Sequence, residues 1–167
     1  MNRFEALDGT PQMKFAASGP LLMACSHARE DDLTYRRLHA HLRDLASDHA
    51  NIGLVFIVGH ETGPPDDFAR QTAAILDDLG SGICTVTGAI LTQGFMGAVY
   101  RSVGTVLLSM TRRRGLVSVH QDIHQASEEA LERLTATGAI ALPALLDAVA
   151  AGVSLVPAGR FDLSAAP

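Results

Sequence analysis

Short unbroken apolar runs alternate along the chain with longer stretches in which apolar residues recur every three or four positions. The first pattern marks strands covered on both faces, the second helices with one buried face. "MKFAASG" (13–19) and "PLLMACSHA" (20–28) are two such runs joined by Gly19-Pro20, a turn pair, and predict a strand hairpin after a loose first ten residues. Asp31 or Asp32 can then cap a helix whose inner face carries Tyr35, Leu38, Leu42 and Leu45. "IGLVFIVG" (52–59) has no polar alternation and predicts a central strand between helical layers. After it, Pro65 suits a first helical turn, Asp66 and Asp67 complement the helix dipole, Phe68, Thr72, Ile75, Leu76 and Leu79 form an inner face, and Gly80 ends the helix.

The same alternation continues. "GICTVTGA" (82–89) predicts a β-branched strand, and Thr92 a cap for a helix with apolar positions at Phe95, Met96, Val99, Val103, Val106, Leu107 and Met110. "LVSVH" (116–120) predicts another strand, and "SEEALERL" (127–134) a helix capped by Ser127 with Ala130, Leu131 and Leu134 facing inward. "AIALPALLDAVAAGVSLV" (139–156) is nearly long enough to span a bilayer, but Pro143, Asp147 and Gly152 and the lack of flanking basic residues argue for a buried or dimer-packing helix over 139–152. Residues 157–167 predict a flexible tail. The expectation is an α/β fold of one domain over 1–156, with a mixed, mainly parallel sheet, an opening hairpin, about four flanking helices and a C-terminal helix.

Composition narrows the function classes. The net charge of −5 opposes binding to phosphate backbones, so no nucleic acid is expected as a partner, and no membrane either. Cys25 and Cys84 sit in apolar runs without ligand-spaced neighbours, which favours buried free thiols, and the charged amino terminus does not read as a signal peptide; a cytoplasmic protein is expected. Neither a Gly-x-Gly-x-x-Gly nor a phosphate loop is present, and no cofactor is expected. The glycines at 94, 97 and 104 fit close helix packing better.

Candidate chemistry concentrates in "GHETGPPDD" (59–67). His60 and Glu61 stand at a strand's carboxyl end, where open α/β sheets hold ligands, but no nucleophile with its base assembles around them from sequence, and no catalytic residue is assigned. Thr62 reads either as a turn or capping residue or as an acceptor of phosphate near a helix start. Arg112, Arg113 and Arg114 read either as a solvated basic helix end or as an anion contact. His120 with His124, and His39 with His41, lack a secured ligand spacing, and no metal is expected.

The order of elements and the phrases "GHETG" (59–63), "CTVTGA" (84–89), "GLVSVH" (115–120) and "SEEAL" (127–131) resemble the STAS domain of anti-sigma-factor antagonists and, more loosely, the single-domain STAS-like proteins of bacteria, over about residues 12–135. The resemblance implies a noncatalytic regulatory module that binds another protein, sometimes switched by phosphorylation of the hydroxyl residue after the central strand, here Thr62. Glu61 stands where that family has aspartate. On this reading His60, Glu61, Thr62, Gly63 and Phe68 form the partner-binding or switch surface of a homodimer. The alternative is a sensor or carrier of a nucleotide or lipid-like molecule, held near the strand ends and the helix at 92–110.

Overall fold

A computed structural model describes residues 5–59, 62–111, 113 and 115–136. The expected helix at 139–152 and tail at 157–167 lie outside the described residues, as do His60, Glu61, Arg112 and Arg114. The described chain is α/β, with six strands, β1 (Glu5–Leu7), β2 (Met13–Ser18), β3 (Leu21–Ser26), β4 (Ile52–Val58), β5 (Ile83–Ile90) and β6 (Val117–His120), in one sheet ordered as in the sequence. Its helices are α1 (Asp32–Asp48), α2 (Phe68–Leu79), α3 (Gly94–Met110) and α4 (Ile123–Ala136). No helix among the described residues is long and apolar enough to cross a membrane.

The first three strands form an antiparallel meander, and β3 to β6 run parallel. The expected β2–β3 hairpin is present, with Gly19 at φ 53° in its turn, a conformation that glycine adopts without steric cost. The first ten residues depart from expectation, because Glu5–Leu7 pair with Phe15–Ala17 as a short edge strand. All seven residues of β4 are buried, as an interior strand requires.

Each parallel strand is added beside its predecessor in the same direction, so right-handed crossovers put α1, α2 and α3 on one face. Tyr35, Leu38 and Leu42 of α1, Ile75 and Leu76 of α2, and Tyr100 and Leu107 of α3 pack there against Leu54, Phe56, Val58 and Val86. On the other face, α4 lays Ile123, Ala126, Ala130, Leu131 and Leu134 on Met23, Val55, Ile57 and Ala89. Alternate residues of the central strands thus fill two separate cores, which accounts for their unbroken apolar runs.

Three helix starts differ from expectation. Asp31 caps α1 as anticipated, its Oδ1 accepting from the Thr34 amide at 2.8 Å, but α2 begins at Phe68 and leaves Pro65 ahead of it. The N-cap of α3 is Gln93 rather than Thr92. Helix α4 starts a turn before Ser127, where Asp122 Oδ1 accepts from the His124 amide at 2.8 Å, and Ser127 is buried inside the helix.

Candidate functional site at the carboxyl end of the sheet

Because β3, β4 and β5 run parallel, the loops after Ser26, Val58 and Ile90 emerge along one edge, the place where open α/β sheets bind ligands. The loop after β4 does not stand free. The carbonyl of Thr62 accepts a bond from Tyr100 Oη of α3 at 3.2 Å, and a β-carbon on Gly63 would lie 3.3 Å from the Met96 sulfur. Thr62 itself is exposed, and the N-cap of α2 is Asp67, so Thr62 lies well ahead of the helix start rather than at it. Asp67 accepts from Arg70 and Gln71, both at 3.1 Å, and these bonds, led by that from Gln71, hold its carboxyl below the usual range.

Phe68 joins four elements. Its ring centroid is 5.9 Å from Phe56, 6.3 Å from Tyr35 and 6.3 Å from Tyr100, all edge-to-face, the geometry that the aromatic quadrupole favours. The side chain is half-buried.

One buried residue at this edge was not pointed to by the sequence. Glu30, in the connection between β3 and α1, is only 4% exposed and accepts a bond from the Ser26 hydroxyl. Burial, then the Glu30 charge, pushes the phenols of both Tyr35 and Tyr100 upward. In the sequence Glu30 is part of the acidic run "REDD", and nothing there separates the buried carboxylate from its solvated neighbours.

No protein-family model matches the chain, and no curated protein gives a significant match. The chemistry of the site therefore rests on its own geometry.

The other candidates are dispersed. Arg113 donates to the carbonyls of Gly80 and Ile83, both at 2.6 Å, tying the chain after α3 to the start of β5, while α3 closes at Met110 before the arginines. His39 bonds Asp78 at 2.8 Å, and His41 bonds the Asp8 carbonyl at 2.7 Å and meets the Phe15 ring. His120 on β6 pairs with Glu129 of α4 at 2.5 Å, and Arg133 joins the same carboxylate, whereas His124 is exposed. Among the described residues no three His, Cys, Asp or Glu side chains converge as metal ligands.

Near α3 there is a void of about 50 Å³ between α2, α3 and the sheet, walled by apolar side chains and by Gly88 and Gly104. It is far smaller than the roughly 300–1,000 Å³ of small-molecule pockets.

Proposed function

We propose that the chain is a noncatalytic regulatory module of STAS-like type that binds protein partners and acts as a homodimer. The observation that carries this reading is the outward face of α3. Phe95 is 77% exposed, Val106 48% and Met110 44%. At 100° per residue these three fall on one side of the helix together with Val99 and Val103, while Tyr100, Gly104 and Leu107 face the core. The stripe holds no charged residue, so two chains of net charge −5 can bring it together without facing like charges across the contact. A two-fold pairing of α3 with α3 is the occupant that fits, since an isologous contact asks only for one self-complementary patch.

Further support comes from the order of elements, with α1 to α3 on one face of a mainly parallel sheet, and from the loop after β4. Thr62 and Gly63 of that loop are held against the amino-terminal half of α3, which supports placing the regulator-binding surface next to the stripe. Phe68 contributes by packing the cluster beneath the loop. In this reading α3 makes the dimer, and the loop meets the regulator.

Sedimentation equilibrium tests it. The wild-type chain is expected to run as a dimer at micromolar concentration, and Phe95→Asp and Val106→Asp as folded monomers with unchanged circular dichroism. A monomeric wild type, or a dimer indifferent to both substitutions, overturns the proposal.

A further inference from the structure

The sheet face that carries α4 is wider than α4. That helix is seated over β4 and β5 and reaches β6. With its side chains a helix is about 10–12 Å across, roughly two strand spacings of about 4.8 Å, so α4 stops at the margin of β3 and leaves β2 beyond its reach. Ala16 and Ser18 of β2 and Leu21, Met23 and Cys25 of β3 alternate onto this face.

On an open sheet these residues would meet solvent. Instead Met23 and Cys25 are each 1% exposed and Ala16 5%, and Leu21 and Ser18 are buried with them. No described helix is seated over β2 on this side, because α1, α2 and α3 occupy the opposite face. Another part of the chain must supply the cover.

The residues outside the described ones narrow the choice. Residues 1–4 are too few to lay a helix across two strands, and 60, 61, 112 and 114 belong to connections at the ends of the sheet. The segment that follows α4 remains, and it sets out from the right place. A β-carbon on Gly53 would lie 3.0 Å from Leu134 Cδ1 and 3.3 Å from Leu21 Cδ1, so the last turn of α4 stands at the start of β4 with β3 alongside.

The sequence beyond α4 suits the task. Gly138 fits a helix end and Pro143 the first turn of another. At 100° per residue Leu142, Leu145, Leu146, Val149 and Val153 share an arc of about 100°, and Asp147 falls outside it. Residues 142–153 would span about 18 Å as a helix, against about 20 Å for the strand β3.

We propose that residues 142–153 form a second helix of this layer, antiparallel to α4, which lays that apolar arc on Ala16, Met23 and Cys25 of its own chain. The occupant is the chain's own segment rather than a second copy, since these residues are buried within one chain. Of the two roles expected for the helix at 139–152, this selects the buried one over dimer packing. The inference goes beyond the proposed function and does not depend on it, because α3 lies on the other side of the sheet and its outward stripe stays free for pairing.

Photo-crosslinking of the full chain tests it, with photo-methionine in place of methionine and an equal mixture of unlabelled and nitrogen-15-labelled chains. Met23 is expected to link to 139–156, within the tryptic peptide 134–160, and the linked pairs to be wholly light or wholly heavy. Absence of a Met23 link to 139–156, or links of mixed isotope only, overturns the proposal. A second measurement uses Cys25. In the double variant Leu145→Asp, Leu146→Asp of the full chain, iodoacetamide should modify Cys25 without denaturant at least about tenfold faster than in wild type, because the uncovered face admits the reagent. Val106→Asp on α3 should leave Cys25 at the wild-type rate, so failure of the α3 pairing and failure of this packing give different results. Wild-type protection of Cys25 in a double variant that keeps its circular dichroism also overturns the proposal, and if that variant unfolds, the crosslink decides alone.

Discussion

Gly88 of β5 borders the void of about 50 Å³ beneath α3, and filling that void should stabilise the protein. A β-carbon placed on Gly88 would meet the Ser118 carbonyl oxygen at 3.7 Å and Val119 Cγ2 at 3.8 Å, both ordinary van der Waals distances, and the backbone there is free of the positive φ that would strain alanine. Gly88→Ala buries one more carbon, worth about 0.8 kcal/mol, and restricts the unfolded chain, worth about 0.4–1 kcal/mol more. The sum is about 1–2 kcal/mol, and at about 2–4 °C per kcal/mol for a chain of this length the melting temperature should rise by roughly 2–8 °C. Gly104→Ala is the matched control on the facing helix. Its β-carbon would sit 2.8 Å from Val119 Cγ2, so a helix-propensity gain of about 1 kcal/mol is set against an overpacking cost of about 1–3 kcal/mol. Scanning calorimetry on both variants decides the matter. A drop in melting temperature for Gly88→Ala, or a larger rise for Gly104→Ala, would show that the packing beneath α3 is not as described.

Two further outcomes follow from titrating groups. At Glu129 burial raises the carboxyl, but the Ser118 hydroxyl, the His120 ring and the Arg133 charge outweigh it and hold the group below the usual range. A depressed carboxylate contributes stability above its unfolded value, and that contribution disappears as pH falls through the folded one, so thermal stability should decline below about pH 4. Glu129→Gln should flatten that decline, and an identical acid slope in the variant would refute the assignment. Burial pushes the Cys25 thiol up to about 12, which leaves a thiolate fraction on the order of 10⁻⁴ at pH 8. Peptide mapping after iodoacetamide treatment should therefore find Cys25 modified only in denaturant, and modification of the native chain at the rate of a free thiol would contradict the burial.

Much of the fold was legible because its signals are continuous. Seven apolar residues in a row at β4 can be satisfied only by cover on both faces, and the three- and four-residue spacing of Tyr35, Leu38 and Leu42 admits one inner face. The glycines expected to allow close helix packing divide: a β-carbon on Gly97 would fall 2.1 Å from the Thr92 carbonyl oxygen and one on Gly104 2.8 Å from Val119 Cγ2 of the sheet, whereas Gly94 has open space around it and takes φ 69°. Helix starts were less legible, since several residues compete for each. Asp122 and Ser127 are both good caps, and the chain takes Asp122, which leaves Ser127 on the buried face. β1 left no trace because three residues at a sheet edge carry no period. Glu30 was not recoverable at all, because nothing in the run Glu30-Asp31-Asp32 marks which carboxylate is buried.

The same helix that leaves its outer stripe uncovered also organises the carboxyl edge of the sheet. Tyr100 donates to the Thr62 carbonyl from one side of α3, and Gly97, one turn earlier, rests on the Thr92 carbonyl, so the loops after β4 and β5 are both referenced to a single rigid element. The Tyr100 ring in turn touches Phe68, whose other edges meet Tyr35 and Phe56. A shift of α3 along or about its axis therefore bears on both the loop carrying Thr62 and the ring cluster that Phe68 joins. The proposed pairing of α3 with a second copy would act on the element that organises this edge.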